Sequence, residues 1–251
     1  MKIETPKIFL PRTGQTTSYA TGDDGDVQAG NPRATRFVDN GNGTVTDRAT
    51  GLQWVKQPEL IIPGETGIDD TNQIQSAEGN WADATPYVQA DLVCDTVDSK
   101  FYVCVAAHTS DNGSGTDTDA PNTPSAYWRE TIWTASAADL TTPATMVWAD
   151  AVANCLGTTH GGSLVYAGFT DWRLPNISEI RSLSDMNLWV VIRSEFPNWM
   201  VVVSTYRYWT STTSAGVTTS AFGITRNGIC YFWAKTGANY VRPVRGGRIN
   251  G

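Results

Sequence analysis

The sequence predicts an α+β chain, two helices packed on antiparallel strands with a large irregular insertion, and three observations carry that reading. Trp148, Val152, Cys155 and Leu156 recur at helical spacing, with Gly157 beyond them as a stop signal. Directly after Leu174-Pro175, Asn176 is followed three residues on by Glu179, ahead of Ile180 and Leu183, the pattern of a capping box at a helix start. After Pro197 the chain turns to β-like runs near Met200 to Ser204, Tyr208 to Thr212, Ala221 to Thr225, Ile229 to Trp233 and Asn239 to Val244, separated by Gly and Asn.

In chain order, the first 35 residues are rich in Gly, Thr, Asp and Pro, which suits an extended wrapping arm better than a helix. Arg36-Phe37-Val38 and Thr44-Val45-Thr46-Asp47 then form a hairpin about Asp39-Asn40-Gly41-Asn42-Gly43, because Asn-Gly supplies the positive φ angles a tight turn requires. No Glu closes a loop twelve residues after Asp39, so the Asp and Asn spacing there does not make a calcium loop. From about 57 to 140 the chain is irregular, with polar stretches such as Thr109 to Thr123 between short apolar segments. This insertion contains Trp81, Tyr87, Phe101, Tyr102, Trp128 and Trp133 and has no long linker at either end, so it is expected to pack on the body, making 1–251 one domain. Near the end, Tyr240-Val241-Arg242-Pro243-Val244-Arg245 alternates apolar and basic residues as a half-buried strand that closes the sheet, with Arg242 expected to pair with a carboxylate.

Composition narrows the function classes. Ten Trp, nine Tyr and seven Phe against 17% charged residues describe a globular chain whose core and exposed sites both use aromatic side chains. A net charge of −7 with 18 Lys plus Arg argues against a nucleic-acid partner, and long-range steering favours cations or neutral ligands. No apolar run approaches the roughly 20 residues that span a bilayer, so no membrane insertion is expected. No signal peptide is visible at Met1 to Leu10, which fits a mature exported form, a virion component or a cytosolic protein. The cysteines at 94, 104, 155 and 230 lack zinc-site spacing; Cys94 and Cys104 flank Asp95-Thr96-Val97-Asp98-Ser99-Lys100 and either close a hairpin as a disulfide or are two free thiols.

Four segments together resemble one family. LPRTGQTTSYATGDDGD at 10–26, RFVDNGNGTVTDRATGLQWVK at 36–56, GFTDWRLPNISEIRSL at 168–183, and YWTST at 208–212 with YVRPVRGG at 240–247 are similar to the Lcl C-terminal domain family. The resemblance implies a C-type-lectin-like fold and leaves 57–140 unmatched. It also implies an extracellular, cell-surface or virion location and a ligand-binding role, in receptor recognition or adhesion, toward a protein or glycan. Members of the family occur as variable proteins of diversity-generating retroelements, whose C-terminal codons are rewritten at adenines. An AAC codon so rewritten never yields Trp, Lys, Met, Gln or Glu, and over 206–239 only Trp209, Trp233 and Lys235 fall outside the allowed set. Within the strands of 200–247 the expected ligand-contacting positions are Tyr206, Arg207, Thr213, Ser214, Gly223, Thr225, Asn227, Ile229, Tyr231, Phe232 and Asn239. Period-two alternation sends Gly223 and Thr225 outward if Phe222 and Ile224 face the core, and Trp172, Trp209 and Val241 are expected to look inward.

Catalytic chemistry is not expected, nor a metal or other cofactor. His108 and His160 stand without a GxSxG or HExxH motif and are assigned to loop packing. Formylglycine-generating enzymes share the broad fold, but their reactive cysteine pair would require Cys155 and Cys230 to meet. Calcium-dependent sugar binding through Asn176 and Glu179 competes with the helix cap those residues already explain. Asp171 and Arg173 are assigned to holding loops together, and Trp172 to packing under the helices. A non-diversified carbohydrate-binding domain and a purely structural surface or virion domain remain as alternatives.

Overall fold

A computed structural model describes residues 10, 12–13, 15–30, 32, 36–61, 74, 76–111, 119–123, 126–135, 143–156, 164–185, 190–191, 207–225 and 228–247. The expected strand at Met200 to Ser204, the stop at Gly157 and His160 lie outside these residues. A single helical turn, α1 (Asp24–Val27), precedes the hairpin of β1 (Phe37–Asp39) and β2 (Thr44–Asp47), then β3 (Leu52–Val55). Within 57–140 stand β4 (Ser76–Asn80), β5 (Pro86–Tyr87), β6 (Asp91–Cys94), β7 (Phe101–Cys104), β8 (His108–Thr109) and β9 (Trp128–Thr131). Next come β10 (Thr145–Val147), α2 (Trp148–Leu156), α3 (Ile177–Arg181), β11 (Ser184–Asp185) and β12 (Val190–Val191). The C-terminal part is β13 (Arg207–Thr213), β14 (Ser220–Thr225), β15 (Cys230–Ala234), β16 (Ala238–Tyr240) and β17 (Val244–Gly246). The result is α+β and mainly β, and no helix among the described residues is long and apolar enough to cross a membrane.

Three sheets of four or five strands organise the chain, in the orders β1-β2-β3-β17, β10-β16-β13-β14-β15 and β4-β6-β7-β9. The third corrects the expected irregularity of the insertion, which contains a four-stranded sheet of its own. Its apolar members nevertheless join the body: Leu92, Val103 and Trp133 share one buried cluster with Ala151, Cys155, Trp172 and Trp209. Cys94 stands opposite Phe101 and Leu92 opposite Val103, so the two thiols flanking this hairpin are about three residues, roughly 10 Å, out of register. That separation exceeds the reach of a disulfide, and all four cysteines are free.

The hairpin forms as expected, with Gly41 and Gly43 at φ 69° and 76° and the Asn40 amide donating to Thr44 and Thr46. Its base is fixed by Arg36, whose guanidinium forks onto Asp47 at 2.7 and 2.6 Å with both side chains buried. In α2 the buried stripe is Ala151 and Cys155, flanked by half-buried Trp148 and Val152, whereas Leu156, about 100° further round the helix than Cys155, is exposed. The capping box of α3 is present: Asn176 Oδ1 accepts from the Glu179 amide at 2.9 Å and Glu179 accepts from the Asn176 amide at 2.8 Å.

The expected single strand over Asn239 to Val244 is split. β16 pairs with β10 and β13, β17 pairs with β3, and the chain passes between sheets at Val241, Arg242 and Pro243, where proline cannot donate to a ladder. Arg242 is buried at this crossing, and its Nη1 donates to the carbonyl oxygens of Val55 and Lys56. Strands β13 and β14 lie between two cores. Tyr208 and Ile224 pack with Trp54, Ile180 and Val244, while Trp209 and Ala221, on the other face, join the cluster that holds Trp172.

Candidate ligand-binding surface

The surface at issue is built on β14 and β15, which pair antiparallel with Gly223 opposite Tyr231 and Phe222 opposite Phe232. Because β13 and β14 are covered on both faces, exposed side chains concentrate on β15, the edge strand of the five-stranded sheet. Ile229 and Tyr231 are 55% and 56% exposed, large values for apolar and aromatic side chains on a well-packed sheet. Tyr231 stacks on Phe232 with centroids 4.7 Å apart and meets Trp233 edge-on at 5.8 Å, and Phe232 meets Phe222 edge-on at 6.1 Å. The Arg207 guanidinium lies over the Trp233 ring at 4.7 Å, and Lys235 Nζ lies over Trp148 at 4.0 Å.

Of the expected contact positions, Tyr206 and Asn227 lie outside the described residues. Ile229 and Tyr231 are exposed, and Arg207, Thr213, Thr225 and Phe232 are half-buried. Ser214, Gly223 and Asn239 are buried and correct the expectation. Ser214 closes the β13–β14 turn, its amide donating a hydrogen bond to the Ser220 carbonyl at 3.0 Å, and Asn239 sits in the sheet interior opposite Met146. At Gly223 a Cβ would stand 2.7 Å from the Tyr208 carbonyl oxygen and 3.0 Å from the Trp233 ring, so the backbone approach leaves no room for a side chain. Trp209 is fully buried as expected, its Nε1 donating to the Met146 carbonyl at 2.8 Å.

Loops behind the surface are tied by the residues assigned to that role. Arg173 forks onto Glu179 at 2.8 and 2.6 Å and donates to the Gly246 carbonyl at 3.1 Å; Asp171 accepts from Arg245 at 2.6 Å; Trp172 Nε1 donates to the Tyr166 carbonyl at 3.0 Å. Glu179 therefore spends its carboxylate on a cap and an arginine. A separate cleft of about 430 Å³, lined by Ile132, Met146, Asp150 and Asn154, lies beside α2 and away from β15.

Two thiol environments bear on chemistry. Cys104 Sγ lies 3.8 Å from Nδ1 of His108, and Nε2 of His108 lies 4.0 Å from Asp119, while Tyr127 stacks on the imidazole at 4.2 Å. Thiol, imidazole and carboxylate in line is the order of a nucleophilic relay, a juxtaposition that spacing in the sequence does not reveal. Cys104 is fully buried, however, and desolvation pushes its thiol up to about 11, the opposite of activation. Cys155 and Cys230 sit in different cores, and burial raises both thiols; at Cys230 the nearby Arg181 guanidinium partly offsets it.

No curated protein matches the chain. The model of the Lcl C-terminal domain family matches residues 115–245, just over half of the chain. The match takes in the last part of the insertion, β10, α2, α3 and all of β13 to β16, and leaves outside it the N-terminal segments whose wording also resembles the family. A surface or ligand-binding role in general accompanies that assignment, and it falls on the half of the molecule that presents the aromatic edge: the chain belongs to the Lcl C-terminal domain family.

Proposed function

We propose that this is a ligand-binding protein of C-type-lectin-like fold, acting in receptor recognition or adhesion at a cell surface or on a virion, and not an enzyme. The observation that carries the reading is the aromatic edge, exposed Tyr231 and half-buried Phe232 stacked beside Trp233 on a sheet whose strands β13 and β14 are locked between two cores. Rigid aromatic side chains supply contact area at low entropic cost, which is what a recognition surface needs. The raised thiols of Cys104, Cys155 and Cys230 also favour binding over nucleophilic chemistry.

Diversification by a retroelement is part of this proposal. The three residues that adenine rewriting of AAC cannot produce are each held by a neighbour: Trp209 in the core, Trp233 beneath Arg207, and Lys235 over Trp148. Such contacts suit fixed positions. The variable set is then Tyr206, Arg207, Thr213, Thr225, Asn227, Ile229, Tyr231 and Phe232, without the buried Ser214, Gly223 and Asn239.

Binding of the purified chain to arrays of glycans and of surface proteins tests the reading. Tyr231→Ala should weaken the strongest hit roughly tenfold or more, as truncating a central aromatic anchor does. Unchanged binding would remove the aromatic edge from the site. A reverse-transcriptase gene and a near-identical template repeat beside this gene would support diversification; their absence leaves the non-diversified carbohydrate-binding or structural reading.

A further inference from the structure

Strand β15 exposes backbone as well as side chains. The Thr225 amide donates to the Ile229 carbonyl at 2.9 Å and the Lys235 amide to the Thr219 carbonyl at 2.9 Å. These fix the alternation of the β14–β15 ladder, in which Gly223 bonds Tyr231 and Ala221 bonds Trp233. The N–H groups of Cys230, Phe232 and Ala234 and the C=O groups of Cys230 and Phe232 consequently point away from β14, along an edge that no other strand pairs among the described residues. Ala234 C=O alone turns aside, accepting from the Gly237 amide at 3.0 Å. Edges are ordinarily blunted by a charge, a proline or a bulge, and from Ile229 to Ala234 there is none of these.

Charge at this edge is opposite to that of the chain. Glu195 is the last acidic residue of the sequence, and beyond it come Arg207, Arg226, Lys235, Arg242, Arg245 and Arg248, although the chain carries a net −7. Three cations surround β15: Arg207 over Trp233, Lys235 at its C-terminal end, and Arg181, close enough to Cys230 to act on its thiol. Arg207 and Lys235 each lie over an aromatic ring, a contact that orients the cation without neutralising its charge. The cation-favouring steering expected from net charge therefore does not extend to this face, which favours carboxylates.

We propose that β15 receives an extended polypeptide segment of a partner protein as a sixth strand of the β10-β16-β13-β14-β15 sheet, the segment being uncharged and apolar in its middle and acidic at its ends. This rests on the reading of β15 as the ligand-binding edge and names the class of ligand. The outward amides and carbonyls of Cys230 and Phe232 give main-chain affinity, the stacked Tyr231 and Phe232 rings contact side chains of the segment, and the flanking cations set the preference for acidic ends.

The test uses the full chain and synthetic peptides of about eight residues. One alternates Val and Thr between Glu pairs, one has Lys in place of Glu, and one has the Glu ends with a central Pro pair. An acidic oligosaccharide, a polyuronate fragment, is the fourth probe. The Glu-ended peptide should bind and slow hydrogen exchange at the Phe232 and Ala234 amides, with the Lys-ended one roughly tenfold weaker and the Pro-interrupted one without effect. Ala234→Pro removes an outward N–H without touching the ladder to β14 and should abolish the protection, while Ala234→Ser should keep it. Absence of protection by the Glu-ended peptide, or equal binding by the Pro-interrupted peptide or the polyuronate, overturns strand addition. In those last two cases the ligand-binding reading survives, because the edge still binds; it fails separately if Tyr231→Ala leaves array binding intact.

Discussion

Gly223 and Tyr231 stand directly opposite one another across two strands and carry opposite demands. A methyl group at Gly223 meets main chain at 2.7 Å, which cannot retreat cheaply, so Gly223→Ala should cost about 1–3 kcal/mol. Trp209→Ala, emptying a fully buried indole site, should cost about 3–5 kcal/mol, whereas Tyr231→Ala should cost no more than about 1 kcal/mol. Thermal melts of the three variants check the ranking, and a Gly223→Ala protein that melts with the parent would mean that the approach of β13 to β14 is not tight. The inward placement of Trp209, Ile224 and Val241 was legible because large apolar residues declare their burial. That of Gly223 was not: alternation assigns faces to one sheet with one wet side, and nothing in the residues of β14 signals that a second core covers the other side. Ser214 and Asn239 are buried by turn closure and by cross-strand neighbours, neither of which has a period.

At the scale of elements, α3 shows how a short helix is held by more than its own turns. Asn176→Ala removes one cap bond and should cost about 1 kcal/mol. Glu179→Ala removes the reciprocal cap bond and both arms of the half-buried Arg173 fork, and should cost about 2–3 kcal/mol. Urea unfolding gives the order, and equal losses would mean that the fork contributes nothing. The cap was legible because it is written within four residues, as was the hairpin turn at Asn40-Gly41. The partner of Arg173 across to Gly246 is written nowhere locally. Strands β4, β5, β8 and β9 escaped for the same reason: Ser76–Asn80 reads Ser-Ala-Glu-Gly-Asn, which has no apolar alternation, and becomes a strand because it pairs parallel to β6. Propensity there yields to tertiary pairing.

At the scale of the molecule, the insertion shares its core with the body, since Leu92 and Val103 are fully buried in the cluster that also holds Trp172 and Trp209. Replacing residues 76–135 by a short Gly-Ser linker should therefore leave that cluster uncovered and give an insoluble or molten chain, read by loss of near-ultraviolet dichroism and by dye binding. Limited proteolysis that releases a stable folded fragment from this region would contradict the expectation. The internal sheet of the insertion was not legible beyond the hairpin flanked by Cys94 and Cys104, because strands of two to five residues give too little pattern to see.

The pairing of β17 with β3 bears on how the chain reaches its native state. Arg245 donates to Gln53 across 192 positions of sequence at 2.6 Å, and Arg242 reaches the Val55 carbonyl across 187. Closing such a loop from an open chain costs roughly 4–5 kcal/mol of entropy before any contact is gained, so this seam is expected to form late, over elements already in place. During synthesis the hairpin of β1 and β2 with β3 therefore waits with one unpaired flank until Val244–Gly246 has left the ribosome. Chains truncated before Val244 should then behave as late intermediates, collapsed but open along β3, and be more prone to associate than the full sequence.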